Sequence, residues 1–432
     1  MTPTFSSIKI NNWRQFSKID INFHEKLTII TGVNGSGKST ILRILSQHFG
    51  IENVVLATPG GEGSAGPLFL SGLFGRPDVN QNSMKWEEEE REIEEENQED
   101  VEEIGNILYS NGQTSALAIR FDGTLSYHVD IPSRQNIRGL FIGSHWPLSP
   151  YRRISHIPTD FSNIEQHNGK YKQVLQTKYI HGQSDISTIY VIKEAIIAMA
   201  IFGSGNEHVQ PDPMIEAHFK EFKEILRKIL PTSIGFQDIS IRMPDVVIVT
   251  KSGDFIVDAA SGGLTTLIEL AWQMFVASRD GTNFVVIVDE PENHLHPAMQ
   301  RTILTSLLDI FPEAQFIVAT HSPFIVSSVK NSSVYVLDYE EKIVDGKPAR
   351  YVNSLLLNNF AKGGTASEIL RTVLGVPVTM PLWAENELEV ITRNFDARQL
   401  DDALIAELRS RLQHAGLSEF YPEALSRIVT AR

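Results

Sequence analysis

Gly32-Val-Asn-Gly-Ser-Gly-Lys38-Ser39 is the stretch on which the reading of this chain turns. It fits G-x-x-x-x-G-K-[ST] at every fixed position, and its flanks fit too. The apolar, β-branched run Leu27-Thr-Ile-Ile30 precedes it, and a helical pattern from Thr40 to Phe49 follows. A strand, a glycine-rich loop and a helix let backbone N–H groups crowd around phosphate oxygens, while the helix N-terminus adds positive potential. Asn34, Gly35, Ser36, Gly37, Lys38, Ser39 and Thr40 are the candidate phosphate contacts. Lys38 is expected on the β- and γ-phosphates and the Ser39 hydroxyl on Mg²⁺.

Three further stretches complete a site of this kind. Phe284-Val-Val-Ile-Val-Asp289-Glu290 is a buried strand ending in two carboxylates, 251 positions beyond Lys38. Carboxylates at the C-terminal end of such a strand face a phosphate crevice. Asp289 is expected to hold Mg²⁺ and Glu290 to polarise an attacking water. Thr320-His321-Ser322-Pro323 follows the apolar run Phe316 to Ala319, which puts His321 within reach of a γ-phosphate. Ala260-Ser261-Gly262-Gly263-Leu264 precedes a helical pattern from Thr265 to Ala277. Ser261, Gly262 and Gly263 there form either an anion cradle or a plain N-cap.

Composition bounds the rest. At about 150 residues per domain, 432 residues allow two to three domains. Hydrophobic residues are 42% and charged residues 21%, enough apolar material for a real core. The absence of cysteine excludes disulfides, Cys-ligated zinc, iron–sulfur clusters and thiol catalysis, and fits a reducing cytoplasm. The net charge is −15, but twelve acids and one base between Glu87 and Glu103 supply −11 of it. That run reads as a solvated insertion or as a charged docking element. The N-terminus lacks the pattern of a leader peptide. Ile186 to Phe202 is the most apolar stretch, but Lys193 and Glu194 interrupt it, so a buried helix is expected and no membrane partner.

Strands are expected at Phe5–Ile10, Ile19–Phe23, Ala116–Phe121, Leu125–Val129 and Leu140–Gly143, and a hairpin over Val246–Thr250 and Phe255–Val257. Helices are expected over Met214–Leu230 and Ala298–Ile310, and another strand over Val334–Leu337. Alternating strands and helices in the C-terminal half predict an α/β fold on a mixed or parallel central sheet. The boundaries that follow are 1–57 for the first lobe, 58–115 for a Gly/Pro-rich and acidic insertion, and 116–240 for lobe completion and a helical subdomain. Residues 241–350 form the second lobe and 351–432 a helical tail.

In this order, the segments resemble the ABC-type ATPase heads shared by SMC, RecF and Rad50-like proteins. Asp289-Glu-Pro-Glu-Asn-His-Leu-His-Pro297, Ala319-Thr-His-Ser-Pro323 and Phe141-Ile-Gly-Ser-His145 are in the idiom of the overcoming-lysogenization-defect-like group. Asn11-Asn-Trp-Arg-Gln-Phe16 resembles the early segment where an arginine meets the nucleotide, which points to Arg14. The resemblance implies that two copies sandwich ATP, with Ser261, Gly262 and Gly263 of one reaching the γ-phosphate held by the other. Leu264 stands where that family often has a polar residue. No long heptad array separates the segments, unlike an SMC or Rad50 chain. Nor does a strand–carboxylate series follow Leu337, as a metal-dependent nuclease domain would need.

An ATPase without its own nuclease resembles the ATPase subunits of two-component antiphage systems, Septu and retron-Septu first and PARIS next. That implies a slow ATPase holding a separate nuclease effector, of HNH type in Septu, and in retron-linked systems a reverse transcriptase with its noncoding nucleic acid. A DNA-repair ATPase of the RecF kind is the alternative. It calls for a basic patch, for which Arg152, Arg153, Lys170, Lys172, Lys178, Lys220, Lys223, Arg227 and Lys228 are available, and direct nucleic-acid binding stays open. A transporter ATPase is disfavoured by the middle insertion and by His294-Leu-His-Pro297.

Overall fold

The structure, a computed structural model, describes residues 2–51, 54–63, 66–70, 101–120, 126–144, 151–158, 173–174, 187–279, 281–344, 347–358, 364–374, 376, 380–393, 395 and 401–430. The acidic run up to residue 100, His145, Lys170, Lys172 and Lys178 lie outside them.

Leu27–Gly32, Phe284–Asp289 and Ala314–Thr320 are buried from end to end. Near-continuous apolar runs of this kind belong to strands covered on both faces. They pair in parallel, with Ala314–Thr320 in the middle, Leu27–Gly32 on one side and Phe284–Asp289 on the other. Gly139–Ile142 closes that end in parallel with Phe284–Asp289. On the other side the parallel Ser333–Val344 leads to its antiparallel partner Lys347–Leu356.

The N-terminal strands continue this one eleven-stranded sheet. Phe16–Asn22 runs parallel to Lys347–Leu356, then Phe5–Trp13, Val101–Tyr109, Thr114–Arg120 and Val129–Asp130 follow antiparallel to one another. Alternation puts Ile8, Ile10, Ile19 and Ile21 on the covered face. Ile41, Leu42 and Leu45 of the helix Lys38–Ser46 join them there.

A helical layer packs beside the second lobe. Thr188–Ser204 is buried along most of its length, as its apolar composition requires. Pro213–Ile229 buries one stripe, and its Phe222 meets Trp272 and Phe275 of the helix Gly262–Ala277 in a tilted and edge-on aromatic cluster. Phe236–Arg242, Asp245–Thr250 and Phe255–Ile256 make a separate three-stranded sheet.

Two expected boundaries move. The insertion drawn to residue 115 stops short of Val101–Tyr109, which is a strand of the central sheet. The helical tail drawn from residue 351 begins with strand, since Lys347–Leu356 pairs along the whole of Ser333–Val344. The helix expected over Ala298–Ile310 is two, Pro297–Gln300 and Ile303–Ile310. Compact units span Met1–Ala366 and Ser367–Arg432. The second has its own apolar core, in which Leu388, Leu408, Leu412 and Ile428 from three helices are buried.

Candidate nucleotide-binding site

The parallel register carries four sequence-distant segments to one edge of the sheet. Thr320 lies opposite Thr31, and Asp289 opposite Ala319. The Thr31 hydroxyl donates to the Thr320 carbonyl at 2.8 Å, and the Glu290 N–H to the Ala319 carbonyl at 2.9 Å. The loop after Gly32, the carboxylates after Val288 and His321 thus share the C-terminal ends of adjacent strands, where an open α/β sheet places its ligand crevice.

The glycine-rich loop is held from several sides. Gly37 has φ 93° at the start of the helix, and a Cβ there would stand 2.3 Å from the Phe16 ring. The Gly35 carbonyl accepts from the Tyr339 hydroxyl at 3.0 Å and the Gln15 amide at 3.3 Å. Lys38 is 5% exposed, and its ammonium donates to the Gly32 and Val33 carbonyls at 2.9 and 3.0 Å. Burial lowers its pKa to about 8 against the opposing charges of Glu290, Asp289 and Glu292. Ser36 is fully buried and its hydroxyl has no protein partner. Asn34 and Gly35 are exposed at the tip of the loop.

Across from Lys38, burial pushes the Asp289 carboxyl up, while a hydrogen bond from Ser39 and the charges of Arg43 and Lys38 pull it back. Glu290 adopts φ 53°, a left-handed backbone uncommon for a side chain of its size. Its Oε2 accepts from the Asn293 amide at 3.0 Å, and its Oε1 lies 3.5 Å from His321 Nε2. The same Asn293 amide reaches the Ser144 carbonyl at 3.0 Å, which ties the end of Gly139–Ile142 to the carboxylates. Burial and the charge of Lys38 lower the pKa of His321.

The donors fit a hard divalent cation. Asp289 Oδ1 is buried with no protein partner, and Ser39 is already hydrogen-bonded to the same carboxylate. Hydroxyl and carboxylate oxygens at a phosphate site are the donor set of Mg²⁺. Among the described residues no cluster of three or more His, Cys, Asp or Glu side chains forms a metal cage of its own.

Arg14 and Thr40 line a cavity of about 250 Å³ with Trp13, Arg43 and Gln47, directly beside the first turns of the helix that follows the loop. The Arg14 guanidinium is 6.0 Å from the Trp13 ring centroid, and its backbone is left-handed at φ 51°. Ser261 is the exposed N-cap of Gly262–Ala277 and makes no side-chain cap. Gly263 packs so closely that a Cβ would stand 2.5 Å from the His294 carbonyl oxygen. The Ser261–Gly263 turn therefore adjoins the loop that leaves Glu290.

Sequence reading missed Gln15, Tyr339, Glu292 and Asn293. Glu292 and Asn293 had a signal, since they continue the quoted run after Asp289-Glu290. Tyr339 had none, because its role depends on the hairpin folding back over the loop. Of the basic candidates, Lys220 pairs with Glu216 at 2.6 Å, Lys223 with Asp238 at 2.9 Å and Arg227 with Glu224. Among the described residues no helix is long and apolar enough to cross a membrane.

Residues 4–326 match the family model described as AAA ATPase domain. The chain is 28% identical over 170 residues to the Septu protein PtuA of Bacillus thuringiensis, covering 36% of this chain and 42% of that one. It is 40% identical over 63 residues to the Retron Vc95 probable ATPase of Vibrio cholerae serotype O1 biovar El Tor, covering 14% of this chain and 12% of that one. The matched stretch thus spans less than half the length of either relative. Among solved structures, the SMC head domain from Thermotoga maritima aligns over 83% of this chain and 100% of its own, at 13% identity and a TM-score of 0.36.

Proposed function

The chain belongs to the AAA ATPase domain family, and from that premise we propose that it hydrolyses ATP between two copies of itself and uses that cycle to gate a separate nuclease in antiphage defence. The observation that carries the ATPase reading is the meeting of Lys38, Asp289, Glu290 and His321 at one strand edge. Its chemistry follows from the residues. Lys38 exchanges its two loop carbonyls for phosphate oxygens, and the N–H groups from Gly35 to Thr40 do the rest of the binding. The cavity beside Arg14 has the size and partly apolar lining for the base. Ser39 and Asp289 would hold Mg²⁺, which supplies neutralisation of charge on the phosphates.

Glu290 is the group that orients and deprotonates the attacking water. Asn293 fixes one of its oxygens and His321 faces the other. His321, whose pKa burial and the charge of Lys38 lower, offers a hydrogen bond at the γ-phosphate. In the ATP-bound pair, Ser261 and the N–H groups of Gly262 and Gly263 close the site from the second copy.

The names of the two relatives, a Septu protein and a retron ATPase, support the defence setting. The effector is read as a nuclease of HNH type, encoded separately; a reverse transcriptase with its noncoding nucleic acid is a further partner in retron-linked relatives. Glu290→Gln tests the catalytic core. It is expected to lower ATP turnover by about 10²–10⁴-fold and to accumulate ATP-bound dimers on size exclusion. Unchanged turnover in that variant refutes the role given to Glu290.

A further inference from the structure

Lys193 is wholly buried at 0% exposure in the middle of the apolar helix Thr188–Ser204. Its ammonium donates to Asp258 Oδ2 at 2.6 Å, to the Arg152 carbonyl at 3.1 Å and to Asp245 Oδ1 at 3.3 Å. All three donors of the ammonium are used. Tyr151 lies over it with its ring centroid 5.0 Å away, and the Tyr151 hydroxyl donates to the other Asp245 oxygen at 3.2 Å. One side chain therefore ties together the long helix, the segment at 151–152, the strand Asp245–Thr250 and the turn Val257–Ala259.

A buried ion cluster is a weak source of stability, since apolar side chains of equal volume often serve as well or better. It does fix geometry, because each partner must sit at hydrogen-bond distance. Asp258 lies three residues before Ser261. The Ser261 side chain makes no cap, so the turn it heads takes its position from its flanks. Gly263, pressed against the His294 carbonyl, is one flank; Asp258, gripped by Lys193, is the other.

We propose that Lys193 is a positioning residue for the Ser261–Gly263 turn, holding it through Asp258 in the place where it meets phosphates bound by a second copy of the chain. The inference rests on the reading that this turn acts in trans. Removal of the ammonium leaves Asp245 and Asp258 as neighbouring carboxylates without their cation, and their repulsion displaces the turn. The loop around Lys38 makes no contact with this cluster in the hydrogen bonds described, so nucleotide binding by the same chain is expected to persist.

Mixing experiments separate the two chains of a composite site. Lys193→Met and Lys38→Met are each expected to lose ATP turnover, while Lys193→Met binds radiolabelled ATP within about twofold of wild type. Mixed in equal amounts, they form heterodimers in which the intact loop of one chain meets the intact turn of the other. Turnover is then expected to recover to about a quarter of the wild-type value, from half the dimers with one sound site each. Asp258→Asn keeps the size but not the charge, and is expected to fall in turnover and recover on mixing in the same way, which covers poor folding of Lys193→Met. Ser261→Ala mixed with Lys38→Met is the control. Recovery in the control without recovery for either Lys193→Met or Asp258→Asn overturns the inference, as does loss of ATP binding by both variants. No recovery in the control overturns the reading in trans, and the inference with it.

Discussion

Glu292 accepts the His321 N–H at 2.6 Å and the Ser322 N–H at 3.1 Å through one carboxylate oxygen, while its other oxygen is buried without a partner. Burial pushes its carboxyl up, while hydrogen bonds from the His321 N–H, its own N–H and the Thr320 hydroxyl pull the other way. It thus decides where the His321 backbone sits, although it does not touch the His321 ring. Glu292→Ala removes two hydrogen bonds to a charged group and is expected to lower kcat by about 10–100-fold with KM nearly unchanged. Glu292→Gln keeps an accepting oxygen and should lose less; steady-state ATP hydrolysis checks both. His48 is a second residue whose setting has a consequence. Its Nδ1 faces the Leu45 carbonyl at 2.9 Å and its Nε2 the Tyr109 hydroxyl at 2.9 Å, and burial holds its pKa down at about 4. Between pH 6.5 and about 4 the unfolded chain takes up a proton that the folded chain refuses, so stability falls as pH falls through that window. By about pH 5 the loss amounts to about 2 kcal/mol, and His48→Gln should lack it. Urea midpoints measured from about pH 7 down to pH 5 on both proteins test the difference. The positions of Lys38 and Ser39 were legible because they open a helix after a glycine-rich loop of fixed spacing, and those of Asp289, Glu290 and His321 because they sit at strand ends. Glu292 and Tyr339 could not be assigned roles, because their partners are backbone atoms distant in sequence that only the fold brings near.

Among elements, the strands that were easy to see are those whose pattern is decided by burial. Phe284–Asp289 and Leu27–Gly32 are covered on both faces and read as unbroken apolar runs. Val101–Tyr109 begins inside the acidic run, so its first residues carry charge while Ile104, Ile107 and Tyr109 are buried. Charge density hid a strand there. Lys347–Leu356 mixes Lys, Arg, Asn and Ser with apolar residues and carries Pro348 near its start, so its identity comes from pairing with Ser333–Val344 rather than from its own composition. The same distinction governs the helical layer. Pro213–Ile229 is amphipathic and was legible, but the partner of its buried stripe was not. Its partners are Thr188–Ser204, Ile303–Ile310 and Gly262–Ala277, the last with Phe222 set edge-on to Trp272 at 5.3 Å between centroids. Phe222→Ala is expected to cost about 3–5 kcal/mol of stability, as a large buried aromatic lost from a packed cluster. Chemical denaturation gives that figure directly. Because the helix it loosens is the one headed by Ser261, ATP-dependent dimer formation should weaken more than ATP binding does.

For the molecule as a whole, the compact units Met1–Ala366 and Ser367–Arg432 each have a buried core of their own. The family match ends at residue 326, and every candidate site residue lies in the first unit. Nucleotide should therefore stabilise one unit and leave the other as it was. A ligand that binds only the folded state adds RT ln(1 + [L]/Kd), about 2.7 kcal/mol at a hundredfold excess over Kd. Differential scanning calorimetry with Mg²⁺ and a non-hydrolysable ATP analogue is the measurement. The transition carrying most of the enthalpy, which belongs to the larger unit, is expected to move up by several degrees, while a smaller transition from Ser367–Arg432 stays in place. In Lys38→Met neither transition should move. A single transition that shifts as one would mean that the two cores unfold as one cooperative unit.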